Sequence, residues 1–226
     1  MIPGSPKRMP LILLIAALLL TSGSLYSQVK DFRSWNEISF EKELTDDIDL
    51  QAEIGLRFDN NATRLDENLY EVELQYKGLK DYDISTSYRM SMGHEVNYTE
   101  YLHRWCFEGE LEKDLDPFEV SFRTRFQTEY IPSAEFEDRV EHYLRDKLTL
   151  NYKINDFPVD PYIAFEHFLP LNNRTFVITD KNRYIVGADI DLDKGFELDI
   201  SYRFQRSFED IREYDYILKL GIGYEL

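Results

Sequence analysis

The chain's last stretch, Tyr214 to Leu226, limits what the rest can become. Tyr214, Tyr216, Leu218, Leu220, Ile222, Tyr224 and Leu226 recur at period two. Asp215, Lys219, Gly221, Gly223 and Glu225 fill the alternate positions, with Ile217 as the apolar exception. A strand built this way has one apolar and one polar side. Similar stretches recur upstream until they account for most of the sequence. Such strands can bury their apolar sides in two ways. Two sheets can pack face to face as a soluble sandwich, or one sheet can close on itself with its apolar side toward lipid.

Eleven candidate strands can be counted. The second, Ile48 to Phe58, is the cleanest: Ile48, Leu50, Ala52, Ile54, Leu56 and Phe58 alternate with Asp49, Gln51, Glu53, Gly55 and Arg57. The third runs over about 67–77, and the first over about 33–44. The seventh, about 140–154, places Asp146 on its nominal apolar face, which suggests a bulge. The eighth, 159–168, is weakened by Pro158 and Pro161 and starts late or lies partly outside the ladder. Connections alternate in length, short after odd strands and longer and polar after even ones. Outer-membrane barrels put short turns on the periplasmic side and long loops outside, whereas a sandwich has no reason to alternate. The expected fold is all-β, a closed antiparallel transmembrane β-barrel of ten to twelve strands. An even number is expected if both chain ends lie in the periplasm.

The first residues read as an address. Lys7 and Arg8 form a basic start, Met9 to Leu20 an apolar run too short for a comfortable membrane helix, and L-Y-S before Gln28 a cleavage site. The expected division is a signal peptide over 1–27 and a barrel domain over 28–226. The formal net charge is −17, and it is two units more negative without Lys7 and Arg8. That argues against nucleic acid as a partner. A single cysteine, Cys106, excludes an intramolecular disulfide. Mean hydropathy is negative, as befits a barrel in which only alternate residues meet lipid. An aromatic content of 15%, mostly Tyr and Phe, suits interfacial girdles.

Three stretches carry a family resemblance: W-N-E-I-S-F-E-K-E-L from Trp35, D-I-D-L-Q-A-E-I-G-L-R-F-D-N-N from Asp47, and the closing Y-I-L-K-L-G-I-G-Y-E-L from Tyr216. The chain resembles the Bacteroidota proteins catalogued as domain of unknown function 2490. That resemblance implies an outer-membrane-type barrel and brings no activity or catalytic residues. The stretch Tyr214 to Leu226 also resembles the C-terminal signal read by the barrel-assembly machinery. That signal usually ends in an aromatic residue, whereas here Leu226 is last. The implied location is the cell outer membrane of a Gram-negative-type envelope, with outer-membrane lipid and that machinery as partners.

The charged residues expected to line the lumen are Arg57, Arg89, Arg104, Arg123, Arg125, Arg145, Arg183 and Arg203, with Glu53, Glu73, Glu108, Asp189 and Asp199. Asp49, Asp83, Glu110, Glu119, Asp191 and Glu197 fall near the short-turn end, and the arginines at mid-height or above. Cross-strand pairing of these charges would give a structural barrel with a filled lumen. An unpaired arginine belt would give a narrow channel for a small anionic solute. Two further alternatives are a hydrolase at the outer rim, acting on lipid or peptide, and a secreted β-sandwich binding protein. A hydrolase needs a nucleophile, base and orienting carboxylate within reach of one another. His103, His142 and His167 point outward by parity, His94 falls in a loop, and no G-x-S-x-G, H-E-x-x-H or clustered metal ligands occur. No cofactor or metal is expected, and acidic loop residues such as Asp59, Asp66, Glu137 and Asp138 read as solvated.

Overall fold

A computed structural model describes residues 29–132, 137–154, 157–172, 181–192, 194–208 and 213–226. The expected leader, 1–27, lies outside them. The strands are β1 (Val29–Thr45), β2 (Ile48–Asp59), β3 (Arg64–Leu79), β4 (Tyr82–His94), β5 (Thr99–Leu115), β6 (Phe118–Ile131), β7 (Arg139–Tyr152), β8 (Val159–Pro170), β9 (Lys181–Leu192), β10 (Phe196–Ser207) and β11 (Glu213–Glu225). Each pairs with its chain neighbour, and β1 pairs with β11, so the sheet closes as an eleven-stranded barrel.

The closing seam resolves the question of parity. Hairpin-linked strands alternate in direction, so the first and last of eleven run the same way. β1 and β11 therefore pair in parallel, from Val29 opposite Glu213 to Glu41 opposite Glu225. The other seams are antiparallel. An even count would hold only if β1 began at the short-turn end. It begins instead beside the longer connections. Asn60 and Asn61, in the loop after β2, donate their backbone N–H groups to the Asp31 carboxylate at 3.1 and 2.9 Å. The Ala62 N–H donates to the Phe32 carbonyl at 2.9 Å. At the opposite rim the Leu226 N–H donates to the Glu41 carbonyl at 2.8 Å. Side chains also hold the seam: Arg33 Nε lies 3.1 Å from an Asp215 oxygen, and Lys219 Nζ 2.8 Å from Glu37.

The two doubtful strands are both genuine. The register of β7 runs without interruption against β6 and β8, so the bulge expected at Asp146 is absent. Asp146 points outward on a regular strand. β8 pairs with β9 from Val159 but with β7 only from Tyr162, which leaves Pro161 outside the β7 ladder. Proline's missing N–H therefore costs no bond on that side. The turn between β9 and β10 carries Lys194 and Gly195 at φ 71° and 76°, the left-handed pair of a tight hairpin turn. His94 is the last residue of β4 rather than a loop residue.

The exterior is apolar and the interior polar. Ile54, Val72, Phe107, Ile163 and Val186 stand at least half exposed on the outer face. Arg89, Glu108, Arg125, Arg145 and Glu166 are buried inside. This inversion is the arrangement of a transmembrane barrel. The apolar core is small, a cluster of Tyr162, Ala164 and Ile185 on β8 and β9. Gly187 makes room for it: a Cβ there would lie 2.6 Å from Tyr162 Cζ and 2.8 Å from Ser201 Cβ. Gly187→Val should overpack this corner and cost about 1–3 kcal/mol, read as a lower urea midpoint with the same slope.

Candidate functional site in the barrel lumen

Strand alternation sends odd residues of β1, β2, β3, β4, β6, β7, β9, β10 and β11 inward, and even residues of β5 and β8. Two cavities open within the lumen they enclose. One, of about 550 Å³, holds the arginines on the loop side and reaches down to Gln75, Asp83 and Glu110 along β3 to β5. A second, of about 660 Å³, lies toward the short turns. Both are lined by Glu37, Gln51, Glu53, Asp199 and Lys219, the layer at which they meet. Lys219 spans this layer, with Nζ 2.8 Å from Glu37 and 4.0 Å from Asp199.

The arginines of the loop-side cavity are mostly paired. Glu166 is the hub, only 2% exposed. Its carboxylate lies 2.7 Å from Arg145 Nη2, 2.9 Å from Arg183 Nη1 and 3.3 Å from Arg123 Nη2. Arg125 pairs with Glu108, and Arg123 lies 3.6 Å from the same carboxylate. Arg89 bonds Glu71 at 2.5 Å and approaches Glu53 at 3.5 Å. Arg104 pairs with Glu129 at 2.6 Å and Arg57 with Glu67 at 2.7 Å.

Two inward aromatics complete the arginine layer. The Arg57, Arg183 and Arg203 guanidiniums lie 4.3, 5.0 and 5.4 Å from the Trp35 ring centroid. Arg145 and Arg183 lie 4.4 and 5.0 Å from the Phe168 ring. Within ~6 Å the ring face attracts the cation. Among the described residues, Arg203 has no carboxylate within ion-pair reach; its Nε donates to Ser201 Oγ at 3.2 Å.

The turn-side cavity has the opposite character. Lys219 is its only basic lining residue among the described ones, against Glu112, Glu119, Asp160, Asp189, Asp191 and Glu197 besides the shared acids. Below it, in the turn after β7, hydrogen bonds to Asp114 and Glu119 raise the Lys153 pKa above the ordinary ammonium value.

Arg57, Arg89, Arg104, Arg123, Arg125, Arg145, Arg183, Arg203, Glu53, Glu73, Glu108 and Asp199 all line the loop-side cavity, and Asp189 the turn-side one. Glu166, Trp35, Phe168 and Lys219 are absent from the set expected from sequence. The parity of β8 would have turned Glu166 inward, but nothing in sequence marks it as the meeting point of three arginines. Cys106 is buried facing the lumen.

On the outer face His103 shares a hydrogen bond with Tyr88 at 2.7 Å, His142 with Thr128 at 3.1 Å, and His167 with Asn182 at 2.8 Å. His94 bonds Asn68 at 2.7 Å. None of these contacts joins a hydroxyl, an imidazole and a carboxylate into one relay. Among the described residues, no group of three or more His, Cys, Asp or Glu is placed to hold a metal ion.

A family model described as "Protein of unknown function (DUF2490)" matches residues 32–225. Among curated proteins, none matches the chain. Among solved structures, the crystal structure of the beta domain of the Bordetella autotransporter BrkA is similar at a TM-score of 0.50 and 13% identity. The match covers 75% of this chain and 81% of that one. At that identity the likeness concerns the fold.

Proposed function

The chain belongs to the DUF2490 family, and from that premise we propose that it is an integral outer-membrane barrel whose lumen is shut at rest by its own charges. Segment 1–27 directs export, and the strand Tyr214 to Leu226 presents the barrel to the assembly machinery. The short turns and Leu226 face the periplasm, and the longer loops face outside. β1 then enters the ladder from the outer rim. Structural service in the envelope is the resting role, and a narrow path for small solutes opens only if the layer around Lys219 parts. A small anion entering from the loop side would meet Arg203 above Trp35.

The observation that carries this reading is the pairing of the arginine layer. Arg57, Arg89, Arg104, Arg123, Arg125, Arg145 and Arg183 each have a carboxylate within 4 Å. A selectivity belt needs charges free to exchange their partners for a passing ion. Charges paired across strands in a confined lumen act as filling. Refolded protein that shows the heat-dependent gel shift of a closed barrel should give no discrete conductance steps in a planar bilayer. Regular anion-selective steps from the unaltered chain would overturn the shut lumen.

A further inference from the structure

Asp146 faces outward at the middle of β7, between Leu144 and Leu148 on the same face. Among the described residues it is the only carboxylate that faces outward mid-strand. Its neighbours across the strands are Thr124 and His167. Thr124 Oγ1 donates to Asp146 Oδ1 at 2.6 Å. His167 Nδ1 bonds Asn182 Oδ1 at 2.8 Å, which leaves Nε2 for another partner. Asp146 and His167 do not form an ion pair with each other within the barrel. On the membrane-spanning reading above, a carboxyl group with one hydrogen bond stands at mid-depth against lipid. Polar groups there are costly, and they normally face protein or water.

We propose that this patch is the contact surface for a second copy of the chain within the membrane. The argument for that occupant is self-complementarity. Asp146 and His167 sit side by side on neighbouring strands. A two-fold axis along the membrane normal, passing between them, brings each copy's Asp146 against the other's His167. One proton is shared between carboxyl and Nε2 in each of the two equivalent contacts. An isologous interface repeats every contact in this way. Thr124 and Asn182 hold the acid and the imidazole in place, and Leu144 and Phe165 supply apolar surface around them. Polar pairs of this kind hold membrane segments together where lipid offers no hydrogen bonds.

The test uses the full-length protein reconstituted into vesicles at low density, with subunits counted by single-molecule photobleaching. The expected result is a dimer. Asp146→Asn and His167→Phe should each raise the dissociation constant by about tenfold, while the heat-dependent gel shift stays intact. In a Cys106→Ala background, Leu148→Cys should cross-link two copies and Val72→Cys, on the β3 face, should not. A monomer in the bilayer would overturn the proposal. So would a dimer indifferent to both substitutions, a cross-link through Val72→Cys, or Asp146-dependent binding of a different protein. Protein that stays soluble without detergent would instead overturn the membrane reading, so the two failures are distinguishable.

Discussion

Glu166→Gln should destabilise the barrel by about 3–5 kcal/mol, the largest loss expected from any single lumen substitution. The carboxylate is buried, and three guanidiniums converge on it from β6, β7 and β9. Glutamine keeps the shape but removes the charge, and it turns an N–H₂ group toward at least one arginine. Arg145 and Arg183 are themselves buried, so they cannot recover the lost interaction from water. The check is urea unfolding of refolded protein in detergent, followed by the gel shift. A loss below about 1 kcal/mol, the range of an exposed pair, would show that water reaches the hub. Added salt should change the difference little, because buried pairs are weakly screened. Replacing the hub as a unit, Glu166→Leu with Arg145→Met and Arg183→Leu, should restore much of the stability. That recovery separates stranded charge from lost packing.

Much of this fold is legible in sequence because lipid imposes a strict rule on one face. From Ile48 to Phe58, and again from Tyr214 to Leu226, every second residue must suit hydrocarbon, and the pattern shows it. The polar face has no such rule. Parity places Arg89, Arg125 and Glu108 inside, but it does not tell which acid meets which base. Arg123 and Glu166 are 43 positions apart, and their meeting depends on the register of the two seams between them. The first strand is misleading for a related reason. Ser34 and Asn36 face outward and Trp35 inward, against the usual alternation. The indole is held there by the arginines above it, and Asn36 Nδ2 finds a partner in Ser34 Oγ at 3.1 Å. Eleven strands can be counted in the sequence, but the even number that two periplasmic ends would require does not hold, because the first strand enters from the other rim. Nothing in local pattern fixes that side; the parallel seam does. Asp146 invited a bulge because an outward acid looks like an error of register, yet the register is continuous.

Lys219→Ala should turn a silent barrel into a conducting one. Lys219 is the basic group in the layer that both cavities share, and its ammonium ties Glu37 on β1 to Asp199 on β10. Removing the side chain vacates the middle of that layer and leaves the two carboxylates to repel each other. Glu37 loses a charged hydrogen bond while buried, so a stability loss of about 2 kcal/mol accompanies the opening. The gel shift must therefore confirm that the variant is folded before it is placed in a planar bilayer. The expected record is discrete steps with a severalfold preference for cations. Below the layer, Asp189, Asp191 and Glu197 are left with no base among the described residues lining their chamber. Above it all the arginines lining the cavity but Arg203 remain ion-paired, chiefly to Glu166, Glu108, Glu71, Glu129 and Glu67, so the acidic half sets the sign. Lys219→Arg keeps the charge and should stay silent. A folded Lys219→Ala barrel without steps would move the barrier up to the Glu166 hub. Anion-selective steps would mean that the arginine pairs open as ions pass, and the lumen would then be a pore rather than a filling.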